Sequence, residues 1–502
     1  MYTIVVIGDG VAGAMAATFL ARALPRETHV IQVLAVDGDD HSLGPFGPVE
    51  ASTPSSRLFH SEIGLSDDDL ARHGKASFAL GLAASGWSSS AATFFLPFGD
   101  QGAPLSGVAF HQLAARLRAA GRRVRLGDFS TASLMAQAGR FESPSDDPAS
   151  PLSTYSFGHQ VERSRYAAVL RDQAMAKGAV FSPCKVRRVE AGDDGLLGAA
   201  ILENGDRVTG DLFIDASGPA AIAIGTLRQS SFVSWEKFLP CNRAIELAVA
   251  DPTPPSPYSH AAALPFGWRR TVPANGTRGE ALIYSSDAAD RQQAEDTLAR
   301  SISSAPTSLD FTSSSFTSGR RADSWVANCV AIGAASCVLE PLACQSMLLV
   351  EQSLRRLLRL FPSHGATGVE AREYNRETSQ ELDRTRDFVV ARYALNGRVG
   401  EPLWDAARNA DRPIELEQKL ALYRSRGRIP LIDGDLFDES EYAALLDEMG
   451  VRAERYDVRA DSFTREQLDQ FLSRIRHAII ASIAPLPLHG DYLASLQRRI
   501  PA

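Results

Sequence analysis

The run Gly8-Asp9-Gly10-Val11-Ala12-Gly13 constrains this chain more than any other feature. It follows a short apolar, β-branched run, residues 3–7, and precedes AMAATFLARAL, whose Ala, Leu and Met fall at helical spacing. In a strand, tight turn and helix, each glycine has a task. The first permits the turn, the second lets backbone approach a pyrophosphate, and the third lets helix and strand pack closely. The helix N-terminus then offers free N–H groups and its dipole to the phosphates. Residues 29–36 form a second apolar strand ending at Asp37, 24 positions after Gly13, where a dinucleotide fold places its ribose carboxylate. Nucleotide binding is therefore the reading preferred over a chance glycine turn. A second such motif is absent, so no separate nicotinamide domain is expected.

The 502 residues amount to about three domain lengths of ~150 each. The nucleotide-type segments near 3–40, 205–218 and 326–345 are nevertheless far apart, and one sheet would need to gather all three. We expect an interleaved α/β fold with a doubly wound sheet. Residues 1–40, 150–235 and 320–365 would form the nucleotide-binding region, 41–149 and 236–319 a strand-rich substrate region, and 366–502 a helical C-terminal region. Asn204-Gly205 reads as a hairpin turn. Ser66 and three aspartates after it open a helix expected over 66–83. Residues 161–179 read as an amphipathic helix, and Thr464-x-x-Gln467 as a capping box.

Composition excludes several classes. The 52 basic and 60 acidic residues give a net charge of −8, without the basic stripe of a nucleic-acid binder. The five cysteines contain no CxxC pair and read as reduced, mostly buried thiols. His60, His73 and His111 lack metal-ligand spacing, so no metal is expected. No GxSxG elbow occurs. Residues 76–99 carry no charge, but serines such as Ser77 and Ser85 interrupt them, so no membrane span is expected. Ser-rich 301–318 reads as an exposed strand. The first residues lack a basic n-region, which points to a cytoplasmic protein.

Further motifs carry a family resemblance. Pro48-Val49-Glu50-Ala51-Ser52-Thr53-Pro54, Gly267-Trp268-Arg269-Arg270-Thr271-Val272-Pro273, Asn328-Cys329-Val330-Ala331-Ile332-Gly333, Leu339-Glu340-Pro341-Leu342 and Pro487-Leu488-His489 join the glycine turn. Together they resemble the flavin-dependent halogenases of the tryptophan-halogenase family over essentially the full length. The resemblance implies FAD as cofactor, held by Gly8, Gly10, Val11, Ala12, Gly13, Asp37, Glu50, Ala51, Gly333, Leu339 and Pro341. It implies a separate flavin reductase that supplies reduced FAD, oxygen, a halide and an aromatic small-molecule substrate, and leaves a homodimer open. In the family, hypohalous acid travels through a tunnel to a lysine beside the substrate, and a glutamate assists substitution.

The chain departs from that pattern at the lysine, which is Ala79 in Phe78-Ala79, and at the glutamate, which is Ala343. A methyl group can neither hydrogen-bond the oxidant nor form a chloramine. Lys75 is the rescue candidate for catalysis, because a helix would bring it within one turn, ~5.4 Å, of Ala79. Its alternative is a solvent-facing lysine. The second signature tryptophan is Arg270. It must either pair with a protein carboxylate or face an anion such as a substrate carboxylate. Trp268, Arg270, Phe78 and Ala79 are thus the substrate-side candidates. The expected function is an FAD-dependent oxidoreductase acting on an aromatic small molecule. A flavin monooxygenase or oxidase and a non-catalytic ligand-binding homologue are the alternatives.

Overall fold

The structure is a computed structural model, and it describes residues 1–88, 93–227, 230–302, 309–362 and 368–498. Strand β1 (Tyr2–Ile7), helix α1 (Val11–Ala23) and strand β2 (His29–Ala35) form the expected first unit. Parallel to β1, on its other side, runs Leu212–Asp215, which in turn pairs in parallel with Cys329–Ala331. A single eight-stranded sheet thereby gathers segments separated by more than a hundred residues. The Asn204-Gly205 turn joins Leu197–Leu202 to Arg207–Val208 as an antiparallel pair on this sheet's edge.

The glycine turn has the geometry its residues imply. Gly8 has φ +112°, and a Cβ there would lie 2.5 Å from the Ala216 carbonyl. At Gly13 a Cβ would lie 1.8 Å from the Gly8 carbonyl, so helix and turn touch only because the side chain is absent. All eleven residues from Val11 to Ala21 are buried, which fits a helix packed between sheet and neighbouring helices.

A seven-stranded sheet runs in the order Thr312–Ser315, Arg243–Asp251, Gly276–Tyr284, Gly267–Ala274, Ser259–Leu264, Gly81–Ser85, Thr93–Pro97. A three-stranded sheet joins β3 (Val49–Ala51) to Gly158–Glu162 and Ser77–Ala79. Helices dominate from Val369–Ala394 onward, and Thr464 and Gln467 form the reciprocal capping box. Helix Arg163–Ala176 occupies the stretch read as amphipathic.

The helix expected over 66–83 is corrected. Ser66 does cap it, with Asp69 returning the bond, but the helix ends at Arg72. Residues 77–79 and 81–85 are strands, because pairing with Gly158–Glu162, Ser259–Leu264 and Thr93–Pro97 satisfies their backbone. Of the Ser-rich stretch 301–318, Thr312–Ser315 is an edge strand, and residues 303–308 lie outside the described ones. All five cysteines are free thiols, four of them buried.

Candidate active site

The glycine turn, β3 and the segment from Ile332 to Leu342 converge at the carboxyl ends of β1 and Leu212–Asp215. The loop between β2 and β3 lies across this place. Val11 N–H donates to Asp40 Oδ2 (3.0 Å) and Ala12 N–H to Ser42 Oγ (3.1 Å). Ala334 N–H donates to the Ser42 carbonyl (2.8 Å). A Cβ on Gly10 would meet the Asp40 carboxylate at 2.1 Å, and one on Gly333 would meet the Ser42 carbonyl at 2.3 Å. The first N–H groups of α1 thus already hold a carboxylate and a hydroxyl, the polar oxygens that phosphate would supply. These donors fit a flavin dinucleotide, and the N–H groups of Val11 and Ala12 would hold its pyrophosphate where they now hold Asp40 and Ser42. Asp37 stands at the end of β2 as expected, but it is exposed and its carboxylate is taken by Lys185 Nζ at 2.5 Å.

Glu50 is fully buried between two guanidiniums: Arg163 Nη2 donates to it at 2.9 Å and Arg270 Nη2 at 2.5 Å. Arg270 Nη1 also donates to the Phe46 carbonyl (2.8 Å), and Arg163 Nη1 to those of Asp40 (3.0 Å) and Gly44 (2.8 Å). Of the two alternatives for Arg270, the protein carboxylate holds. The anion-facing reading is overturned, because Glu50 takes the charge of Arg270, and Arg270 Nη1 and Nη2 donate to Glu50 and to the Phe46 and Val49 carbonyls. Glu50 is likewise committed to the arginines. Its work is to fix β3, and Ala51 beside it packs against Ala79 in an apolar cluster.

The signature tryptophan Trp268 holds Glu340 in place. Trp268 is buried, and its indole N–H donates to Glu340 Oε2 at 2.5 Å. Tyr393 Oη donates to the same oxygen at 2.6 Å. Burial pushes the Glu340 carboxyl up to about 7, opposed by these two hydrogen bonds. Glu340 in turn anchors the segment that follows: Gln345 Nε2 donates to its carbonyl (2.8 Å), and Ala343 N–H to Gln345 Oε1 (3.0 Å). Leu339 and Pro341 are buried in the same segment.

Alternation along the strand Ser77–Ala79 separates the two remaining candidates. Phe78 faces away from the site and stacks on Phe141 with ring centroids 4.6 Å apart. Its N–H donates to His489 Nε2 (3.2 Å), and His489 Nδ1 meets the Pro255 carbonyl at 2.8 Å. That fixes the neutral Nδ1–H tautomer, and burial lowers the His489 pKa to about 4. Ala79 faces the other way, into an apolar cluster with Val49, Phe98, Val272 and Cys344. Phe98 and Cys344 also line a small pocket of about 30 Å³, room for about one water, together with Ala343, Leu82, Phe388 and Phe437. Ala79 thus shares its cluster with Phe98 and Cys344, and those two residues line the pocket together with Ala343.

Lys75 does not rescue the lysine. It is exposed, sits at φ +49° before a strand instead of in a helix, and so is not one turn from Ala79. No lysine lines the pocket. Residues missed in the sequence are Asp40 and Ser42, and Arg392 in the pocket. The signal for Arg392 was present: Phe388-Val389-Val390-Ala391-Arg392-Tyr393-Ala394 is an apolar run around one charge. Among the described residues there is no cluster of three or more His, Cys, Asp or Glu suited to a metal, and no helix long and apolar enough to cross a membrane.

Fold, glycine turn and buried signature define a flavin-type dinucleotide protein with an apolar pocket beyond the flavin strap. Residues 3–465 match the tryptophan halogenase family model, and the chain belongs to that family. BrvH, a flavin-dependent halogenase from Brevundimonas sp. BAL3, superimposes with a TM-score of 0.93 at 31% identity, over 99% of each chain. Xcc4156, a flavin-dependent halogenase from Xanthomonas campestris, does so with a TM-score of 0.92 at 26% identity, over 100% of this chain and 99% of that one. Tryptophan 6-halogenase ThaL of Streptomyces albogriseolus is 27% identical over 84% of this chain and 82% of its own length.

Proposed function

We propose that this protein is an FAD-dependent oxidoreductase that takes reduced FAD from a separate flavin reductase, uses oxygen, and acts on an aromatic small molecule without a lysine relay. The observation that carries this reading is that alanines, Ala79 and Ala343, stand at the family's lysine and glutamate positions, and both are buried. FAD bound at the glycine turn would supply the redox chemistry. Val11 and Ala12 would hold the pyrophosphate by their N–H groups, while Arg163, Arg270 and Glu50 keep the strap in register. Ala79, Phe98 and Cys344 lie buried in one apolar cluster beside the strap. The methyl of Ala79 cannot carry a halogen as an ammonium can, so the reading has no lysine-bound halogen and leaves halide as an open partner.

The membership in a flavin-dependent family and the donor set at α1 support the cofactor. A second reading, a binding protein that keeps the fold, draws on one observation: Asp40 and Ser42 already satisfy those donors. One experiment separates them. The protein, FAD, a flavin reductase and NADH are incubated under ¹⁸O₂ with a panel of indoles and phenols. Oxygenated or dehydrogenated aromatic product supports the enzyme, and unchanged aromatics with no FAD binding support the binding protein.

A further inference from the structure

Five arginines among the described residues are buried: Arg163, Arg270, Arg356, Arg392 and Arg398. Four of them have a carboxylate within 2.9 Å. Glu50 serves Arg163 and Arg270, Glu381 serves Arg356, and Glu401 serves Arg398. Arg392, on helix Val369–Ala394, has no ion pair among the described residues. It is 1% exposed, and its Nε and Nη1 atoms are buried without a hydrogen-bond partner. The Phe388 ring faces it, 5.3 Å from the guanidinium carbon. Burial lowers its pKa to about 9, so it stays cationic at neutral pH.

A buried guanidinium needs a counter-charge and acceptors for its N–H groups. Arg392 lines the small pocket of about 30 Å³, among the apolar side chains of Leu82, Phe98, Phe388 and Phe437. A single water fits there and would accept a hydrogen bond, but it would leave the charge uncompensated. A chloride or bromide ion is little larger than a water and supplies both acceptor and charge. A polyatomic organic anion does not fit. Two other ionisable groups share the lining. Glu441 Oε2 accepts from Asp438 N–H (2.8 Å), and burial raises its pKa to about 7, so near neutrality it carries only part of a charge. Burial also raises the Cys344 thiol, which therefore stays protonated and offers no thiolate.

We propose that Arg392 holds one monatomic anion, chloride in ordinary salt, as a structural counter-ion in this pocket. The ion stands in for the carboxylate that the other four buried arginines have, and it stabilises the packing of helix Val369–Ala394. The proposal is independent of whether the flavin chemistry consumes halide. The full-length protein, without flavin, is melted in sodium gluconate and in sodium chloride at equal ionic strength. Chloride should raise the Tm by about 2 °C, the shift expected for a chain of this size when an ion is present at ~100 times its Kd. In Arg392→Gln that gain should vanish. In gluconate the same variant should melt above wild type, which shows that it folds and that the charge had no partner. Crystals of the wild type soaked in bromide should show anomalous density beside the Arg392 guanidinium.

Equal melting of the wild type in chloride and gluconate overturns the proposal, as does a chloride gain that survives in Arg392→Gln. Bromide density found only elsewhere in the molecule overturns it as well, and this reading needs no variant to fold.

Discussion

The flavin half and the pocket of this molecule place different demands on sequence. In the flavin half the requirement falls on backbone: Gly8, Gly10 and Gly13 are where they are because no side chain fits. In and beside the pocket it falls on side chains drawn from strands, a loop and two helices, and there the chain carries Ala79, Ala343 and an unpaired Arg392. The first kind of site survives many changes around it, whereas the second changes its chemistry with a single residue. A fold can therefore keep its cofactor frame while its reaction is altered.

The largest effect should come from the backbone side of this contrast. Gly13→Ala places a Cβ 1.8 Å from the Gly8 carbonyl, which only backbone movement can relieve. Urea unfolding should show a loss of more than about 4 kcal/mol. A loss below ~1 kcal/mol would mean that helix and turn are not packed as described.

On the pocket side, Ala79→Lys restores the ammonium but buries it in an apolar cluster. Alone it should cost roughly 3–5 kcal/mol of stability, the usual penalty of an uncompensated buried charge. Adding Ala343→Glu should recover part of that loss in a double-mutant cycle. Strict additivity of the two changes would place the alanines out of reach of each other.

Glu340 links the two regions, and its carboxyl titrates near 7 in the folded state against an ordinary value of 4.5. Between those values the native protein binds more protons than the unfolded one, so stability falls as pH rises through that window. Glu340→Gln should abolish this slope and be about 2–3 kcal/mol more stable than wild type at pH 8. Denaturant midpoints at pH 5 and pH 8 check it.

His489 works in the opposite sense. Its folded pKa of about 4 lies below the ordinary 6.5, so the unfolded chain takes up the proton first and stability drops as pH falls through that interval. His489→Phe should flatten the acid limb of the stability curve. At pH 7 it should cost about 1–2 kcal/mol, because the Phe78 N–H loses its acceptor.

Much of the flavin half was legible in the sequence, since a glycine turn between strand and helix is a local signal. The alanines at 79 and 343 were legible too, as departures within recognisable motifs. What was not legible depended on distance. Arg270 finds Glu50, 220 positions away, and nothing near either residue announces the pair. Ser66 with Asp69 marks a genuine helix start, but the chain leaves the helix at Arg72 for strand partners supplied by residues 93–97, 158–162 and 259–264. The run 76–85 has no strong period of its own, so tertiary pairing decided its state. Asp40 and Ser42 lay in a stretch read only as loop, and their role as stand-in oxygens depends on the fold of that loop.

The central claim is that the cofactor frame is intact and the lysine relay is not. Its most direct test is turnover with FAD, a flavin reductase, NADH, oxygen and excess bromide over a panel of indoles and phenols, with products read by mass spectrometry. Wild type should oxidise reduced flavin and release no brominated product above the level of controls that lack it. Enzyme-dependent bromination by wild type, over many turnovers and with Ala79 and Ala343 in place, would contradict the account.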